Sequence, residues 1–180
     1  MNKIAFIGSG NISFHLSKSF KDIGHTIISI SSRNESSGKE LAKAVSAAFI
    51  PIEKISPGID LLIIAVSDDA IAKVIPLIPK DIKAVVHTSG SIPISIFQDH
   101  FLNCGVFYPL QSFTKKRSVD FKNIPILVEA SNVAFEKKLV KLASDLSNTV
   151  KVMDSKSRLY LHLAAVIANN FVNYLATEAY

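Results

Sequence analysis

IAFIGSGNIS, Ile4 to Ser13, is the stretch that decides how the rest of the chain is read. Four mostly apolar residues run into Gly8-Ser9-Gly10, and Asn11-Ile12-Ser13 then opens a helix pattern. Strand, glycine turn and helix N-terminus in that order make an anion site. Gly8 permits the tight turn, and Gly10 lets the backbone approach a pyrophosphate at the positive helix end. Ser13 stands where the usual dinucleotide fingerprint has its third glycine. That position serves helix–strand packing, so a small serine substitutes without losing a phosphate contact. The bare pattern is weak, but its place after a strand and before a helix strengthens it. On this reading Gly8, Ser9, Gly10, Asn11 and Ile12 hold a nucleotide; the competing reading is a glycine-rich turn that binds nothing.

Outward from this stretch, strands and helices alternate. A helix from Asn11 to about Ile23 ends at Gly24, a C-terminal glycine. Thr26 to Ser31 is a β-branched second strand, Ser36-Ser37-Gly38 reads as a polar loop, and Lys39 to Ser46 as a helix. Ala47 to Ile50 forms a short strand. Asp60 to Val66, DLLIIAV, is apolar throughout, as a strand covered on both faces must be. Further strands are expected at Ala84–His87, Gly105–Tyr108, Ile124–Glu129 and Lys151–Met153, with a helix from Asn132 to Ser147. This alternation predicts an α/β fold with a mainly parallel sheet and helices on both faces. Ligands in that architecture bind beyond the carboxyl ends of the strands, where strand order reverses.

The loop after the second strand selects the nucleotide. An NAD site places an acid there to accept the ribose hydroxyls. This chain has Ser31-Ser32-Arg33-Asn34 instead. Hydroxyls and a guanidinium suit a 2′-phosphate, so Ser32 and Arg33 predict NADP over NAD, unless Arg33 is only a solvated charge. Val66, Ser67 and Asp68 end the fourth strand and line the ribose side, or else Ser67 and Asp68 simply cap the next helix. His87-Thr88-Ser89 follows the fifth strand, where a nicotinamide would lie. His87 there either exchanges a proton with substrate or is a structural strand-end histidine. Tyr108-Pro109-Leu110-Gln111 follows the sixth strand, and its Tyr and Gln face the substrate region, with Gln111 taken as a site residue.

The last helix pattern, from about Ser155 to Tyr180, is apolar nearly all round. His162, Asn169 and Asn173 nonetheless fall within a sector of roughly 40° at 100° per residue. A helix apolar on most sides is expected to be buried on most sides. Unpaired buried amides cost about 1–3 kcal/mol each, so the stripe needs partners. Those partners are either a substrate or nicotinamide amide, or a network between helices across a dimer. His162 and Asn169 are the candidate reacting residues on it.

Bulk properties narrow the class. At 180 residues, 48% hydrophobic and 19% charged, the chain supports one full domain and part of a second. A net charge of +5 is modest and its lysines are scattered apart from Lys115-Lys116-Arg117, so no nucleic-acid partner is expected. The single Cys104 excludes an intramolecular disulfide and a cysteine-rich metal centre, and no metal is expected. No membrane span is expected, and a strand starting beside Met1 leaves no room for a signal peptide, so a cytoplasmic protein is predicted.

Assembled, these segments resemble the superfamily of 6-phosphogluconate dehydrogenase-like and pyrroline-5-carboxylate reductase-like proteins. GSGNIS and ISSRN look like the NADP-binding half of those reductases. HTSGS, FYPLQSFTK and LHLAAVIANNFVNYL together resemble an uncharacterised family of two-domain oxidoreductase-like proteins. That resemblance implies a Rossmann-like, doubly wound, mainly parallel sheet over residues 1–153. Residues 154–180 would begin a helical substrate and dimerisation domain, expected to be incomplete because the helix pattern runs to Tyr180 without a C-cap. It also implies a homodimer through the C-terminal helices. The final helix lacks the proton-transferring lysine of the β-hydroxyacid dehydrogenase branch. The expected activity is NADP-dependent hydride transfer to or from a carbonyl or imine of a small-molecule substrate. Gly8, Ser9, Gly10, Asn11, Ile12, Ser32, Arg33, Val66, Ser67, Asp68 and Ser89 would bind the cofactor, and His87, Gln111, His162 and Asn169 would serve the chemistry. The alternative is a non-catalytic NADP(H)-binding or sensing module.

Overall fold

The computed structural model describes residues 1–97 and 100–178; for residue 170 and residues 172–178 it describes the helical backbone only. The elements are β1 (Lys3–Ile7), α1 (Asn11–Asp22), β2 (Thr26–Ser31), α2 (Glu35–Val45), β3 (Ala48–Phe49), β4 (Leu61–Ile64), α3 (Asp68–Val74), β5 (Ala84–His87), β6 (Asn103–Pro109), β7 (Ile126–Ala130), α4 (Val133–Leu146), β8 (Val150–Val152) and α5 (Ser155–Glu178). They form an eight-stranded sheet in the order β3-β2-β1-β4-β5-β6-β7-β8. Every neighbouring pair is parallel except β6–β7. The first six strands thus have the 3-2-1-4-5-6 order of a doubly wound, Rossmann-like fold, and the order reverses between β1 and β4.

The unbroken apolar strands explain themselves through their two faces. Side chains alternate across a strand, so a strand covered on both sides must be apolar at every position. Ile4, Phe6, Leu61, Ile63 and Val86 face the layer that holds Leu16 and Phe20 of α1, Leu41 of α2 and Leu139 of α4. Ala5, Ile7, Leu62, Ile64 and Val85 face the opposite layer, with Ile71 of α3 and Phe97. Cys104 is a small buried residue of that second layer.

Two readings of the sequence change. Helix α2 begins at Glu35 and takes in Ser36-Ser37-Gly38, which read as a polar loop, because the Asn34 side chain accepts the Ser37 N–H at 3.0 Å and caps it. Gly38 is then helical and buried, and a Cβ there would lie 2.4 Å from the Phe49 ring. Helix α5, expected to be buried on most sides, leaves Tyr160, Leu163, Val166, Ile167 and Phe171 exposed. It meets the sheet through its first turns, where Arg158 is buried and Leu161 packs on Tyr108 and Leu127. Asn170 and Asn173 carry no described side chain, and Tyr180 lies outside the described residues.

Candidate functional site

The glycine turn divides into a residue the fold requires and a residue it does not. Gly8 has φ +118, and a Cβ there would sit 2.2 Å from the Ala65 carbonyl oxygen at the end of β4. Only glycine fits. Gly10 is the N-cap of α1 with φ −74 and ψ −173, and a Cβ there would meet nothing within 4 Å. The protein itself leaves that approach open. No side chain caps α1, and no acid stands in its first turn, so its leading N–H groups point at an undefended positive end. Ser13, wholly buried, donates its hydroxyl to the Ala65 carbonyl at 3.3 Å, the helix–strand packing role expected of it.

Beside this turn the serines converge. Ser9 Oγ lies 2.8 Å from Ser32 Oγ and 2.7 Å from Ser37 Oγ. Arg33 is exposed at the rim, and Glu35 is tied to Lys39 one turn along α2 at 2.5 Å, an ion pair that holds its carboxyl below the usual range. Ser37 is not among the residues expected from sequence; the signal for it is Asn34, whose side chain caps α2 and places Ser37 in its first turn.

These residues form one wall of a cleft of about 1060 Å³ at the strand-order reversal. Gly8, Ser9, Gly10, Asn11 and Ile12 line it together with Ser32 and Arg33. Val66, Ser67 and Lys73 line it too, as do Gln111, Ser112 and Phe113. Ser67 occupies the N-cap position of α3 yet makes no capping bond, which leaves its hydroxyl to the cleft. The segment after β6 is strapped to α1: Asn11 Nδ2 donates to the Phe113 carbonyl at 2.8 Å, and His15 Nε2 pairs with the Thr114 carbonyl at 2.9 Å.

The remaining predicted residues fall into separate settings. Asp68 and Ser89 are not on the cleft wall. Ser91 donates to Asp68 Oδ2 at 2.5 Å, while Ser89 Oγ accepts the Ser91 and Ile92 N–H groups at 3.1 Å and shapes the turn after β5. His87 is fully buried, stacked on Phe97 with ring centroids 5.5 Å apart, and its Nδ1 accepts the Ser89 N–H. Burial, followed by the Arg158 charge, pushes its pKa down to about 3, so the ring is neutral with its proton on an enclosed Nε2. Gln111 lines the cleft. Asn169 is exposed on α5, two turns or about 10 Å beyond His162 along the axis.

His162 itself meets a partner. Tyr108 Oη and His162 Nδ1 are 2.8 Å apart, at the carboxyl end of β6. The root of α5 is fixed by a buried ion pair between Arg158 and Glu129 of β7. Arg158 Nη2 also donates to the Ile92 carbonyl at 2.6 Å, and Ser155 Oγ donates to Glu129 Oε2 at 2.8 Å. Glu129 and Arg158 are 29 residues apart, and no local pattern announces them.

Sheet order, glycine turn and cleft together define a dinucleotide-binding oxidoreductase fold. Residues 3–90 match the family model for NADP oxidoreductase, coenzyme F420-dependent, and residues 124–180 match a domain of unknown function, DUF2520. The proposed NADP oxidoreductase BF3122 from Bacteroides fragilis is 38% identical, covering 99% of this chain and 70% of that one, with a TM-score of 0.91. The chain belongs to this family of NADP oxidoreductase-like proteins with a DUF2520 region. Protein TM1727 from Thermotoga maritima shares the fold at 24% identity and a TM-score of 0.75, over 97% of this chain and 66% of that one. An imine reductase from Myxococcus stipitatus, in complex with NADP+, does so at 14% identity and a TM-score of 0.75, over 98% and 64%. This chain therefore spans about two thirds of the length of such structures. No curated protein matches it. Among the described residues, no helix is long and apolar enough to cross a membrane.

Proposed function

We propose that this chain is the NADP-binding part of an oxidoreductase that moves a hydride between nicotinamide and the carbonyl or imine carbon of a small metabolite. The contrast between Gly8 and Gly10 carries the reading: one glycine is demanded by Ala65, while the other leaves the α1 N-terminus open to an approaching phosphate. The cofactor is NADP(H). The α1 N-terminus receives the pyrophosphate, and Ser9, Ser32 and Arg33 receive the 2′-phosphate through hydroxyl and charge-assisted bonds. Val66 and Ser67 flank the ribose. When bound, the cofactor supplies or accepts the hydride. The chain's own part is to orient it, to present Gln111 to the substrate and to keep a proton source on His162. His87, Ser89 and Asp68 shape the reacting end from below rather than line it. Asn169 belongs to the outward part of α5.

Residues 1–153 form the cofactor domain in this proposal, and residues 154–180 begin the substrate and dimerisation part. Tyr160, Leu163, Ile167 and Phe171, at spacings of three and four, make an exposed apolar stripe that a second copy of α5 would cover. Thermal melting with NADPH against NADH tests the cofactor assignment. At a hundredfold excess over its dissociation constant, NADPH stabilises by about 2.7 kcal/mol. Arg33→Ala removes the preference for NADPH over NADH. An unchanged preference in that variant overturns the assignment of the 2′-phosphate.

The enclosed, neutral His87 favours a second reading, a module that binds NADP(H) without turning it over. NADPH consumption against keto acids and imines separates the two.

A further inference from the structure

At the reacting end of the sheet His162 is paired with a residue that the reading above does not use. Tyr108 Oη and His162 Nδ1 stand 2.8 Å apart, with the rings edge to face. The backbone is shaped around them: a Cβ on Gly90 would lie 2.6 Å from His162 Nδ1 and 2.7 Å from Tyr108 Cζ. Glycine in the HTSGS loop is therefore what lets the main chain close over the pair. His162 is four residues beyond Arg158 on the same face of α5, and Arg158 is anchored to Glu129 and to the Ile92 carbonyl. The pair is thus fixed from three elements, β6, α5 and the loop after β5. The pair does not line the cleft itself, but Tyr108 lies near the end of β6 and Gly90 follows β5, at the carboxyl edge where ligands of such a sheet bind, and Gln111, three residues beyond Tyr108, lines the cleft.

His162 Nδ1 is occupied by the phenol. A proton leaving that nitrogen passes to the Tyr108 phenol. We propose that Tyr108 is the catalytic proton donor in the reduction and that His162 is the positioning residue that reloads it, an inference that rests on the oxidoreductase reading. In the step, the Tyr108 O–H bond breaks and an N–H or O–H bond forms on the former imine nitrogen or carbonyl oxygen. The electron pair arrives with the hydride from NADPH, which leaves as NADP+. The Nδ1 proton of a His162 imidazolium moves to the phenolate and leaves the ring with its proton on Nε2; Nδ1 is reprotonated from solvent as product leaves and the Tyr108 hydroxyl turns away. Burial, and then the Asp68 charge, raise the Tyr108 pKa, so the phenol holds its proton at neutral pH. The charges that act on Tyr108 are Asp68 from α3 and Arg158 from α5, and Arg158 is itself paired with Glu129 from β7 and acts on His87 from β5.

Two readouts on the full chain test this. The first needs no turnover: with 15N-labelled histidine, the His162 ring resonances are assigned by their loss in His162→Gln and compared by NMR at one pH in wild type and Tyr108→Phe. The hydrogen bond to the phenol predicts that the Nδ1 resonance moves in Tyr108→Phe. An unmoved Nδ1 resonance overturns the relay. The second follows NADPH oxidation with 2-methyl-1-pyrroline and cyclohexanone as probes. Tyr108→Phe is expected to lower kcat by about 100-fold or more, with NADPH affinity within about threefold of wild type. His162→Gln displaces the ionisation in the kcat–pH profile, a change that a merely structural contact would not produce. Tyr108→Phe at full rate overturns the relay alone. Wild-type protein that binds NADPH and reduces neither probe overturns the reductase reading, and the relay with it.

Discussion

Substituting alanine at the two glycines of the first turn separates a folding requirement from a ligand requirement. At Gly8 an L-residue must adopt φ +118, and its Cβ lands 2.2 Å from a main-chain oxygen of β4 that has little freedom to move. Left-handed backbone alone costs about 1–2 kcal/mol, and the clash adds to it. Gly8→Ala is therefore expected to lose more than about 2 kcal/mol of stability, a fall in Tm of at least about 4 °C for a chain of this size. At Gly10 the backbone is ordinary extended chain and a Cβ touches nothing, so Gly10→Ala is expected to melt within about 1 kcal/mol of wild type. Its defect appears only with ligand. A methyl group on the approach to the pyrophosphate that weakens binding tenfold cuts the stabilisation at a fixed NADPH concentration, a hundredfold over the wild-type dissociation constant, from about 2.7 to about 1.4 kcal/mol. Differential scanning fluorimetry of three proteins, each with and without NADPH, measures both effects. A full ligand-induced shift in Gly10→Ala would falsify the pyrophosphate assignment, and a wild-type melting point in Gly8→Ala would refute the packing argument.

Other outcomes follow from the buried groups. His87 has a folded-state pKa of about 3, below its ordinary 6.5, so as pH falls the unfolded chain takes up a proton before the fold does. Its stabilisation is whole above pH 6.5 and is lost towards pH 3, with a ceiling of about 5 kcal/mol; urea unfolding at pH 7 and pH 4.5 is expected to show a smaller difference for His87→Asn, and equal differences would count against this account. Glu129→Gln leaves the Arg158 guanidinium buried without its counter-charge and is expected to cost about 3–5 kcal/mol by chemical denaturation. Replacing both residues together by apolar ones, Glu129→Leu with Arg158→Met, is expected to recover most of that loss. A double variant as unstable as the single one would show that the pair is not the cause.

The glycine turn and the loop after β2, which line one cleft, are legible in the sequence because each is local. Gly8, Gly10 and Ser13 lie within six residues, and Ser32 and Arg33 stand at the end of the next strand, so periodicity and turn chemistry reach all of them. The apolar runs of β1 and β4 likewise state that both faces of the sheet are covered, and the structure shows them covered. What stayed hidden is what depends on distance along the chain. Tyr108 meets His162 across 54 residues and Glu129 meets Arg158 across 29, and the charge of Arg158 reads from sequence as one more polar residue on a helix. The burial of α5 was misjudged because a helix apolar on most sides states a need for cover, not what supplies it. Its described side chains show Leu161 covered by β6 and β7, and Ile167 and Phe171 facing outward.

The two ends of α5 consequently answer to different interactions. Its first turn is bound to the sheet by charge and hydrogen bonds, Arg158 to Glu129 and Ile92, and Ser155 to Glu129 and to the Ile94 N–H at 3.0 Å. Its later turns present an apolar stripe. A buried ion pair adds little net stability over an apolar replacement, but it is geometrically demanding, since each partner must meet the other in one arrangement. Placed one turn before His162, it makes the position of that imidazole a property of β7 and the loop after β5. Whatever covers Ile167 and Phe171 then acts on the far half of the helix, while the 2.8 Å contact with Tyr108 is held by the sheet. The anchor thus holds the Tyr108–His162 pair in one position against the sheet. The cost of burying a guanidinium is then understandable at this one place in a sheet otherwise packed with aliphatic side chains.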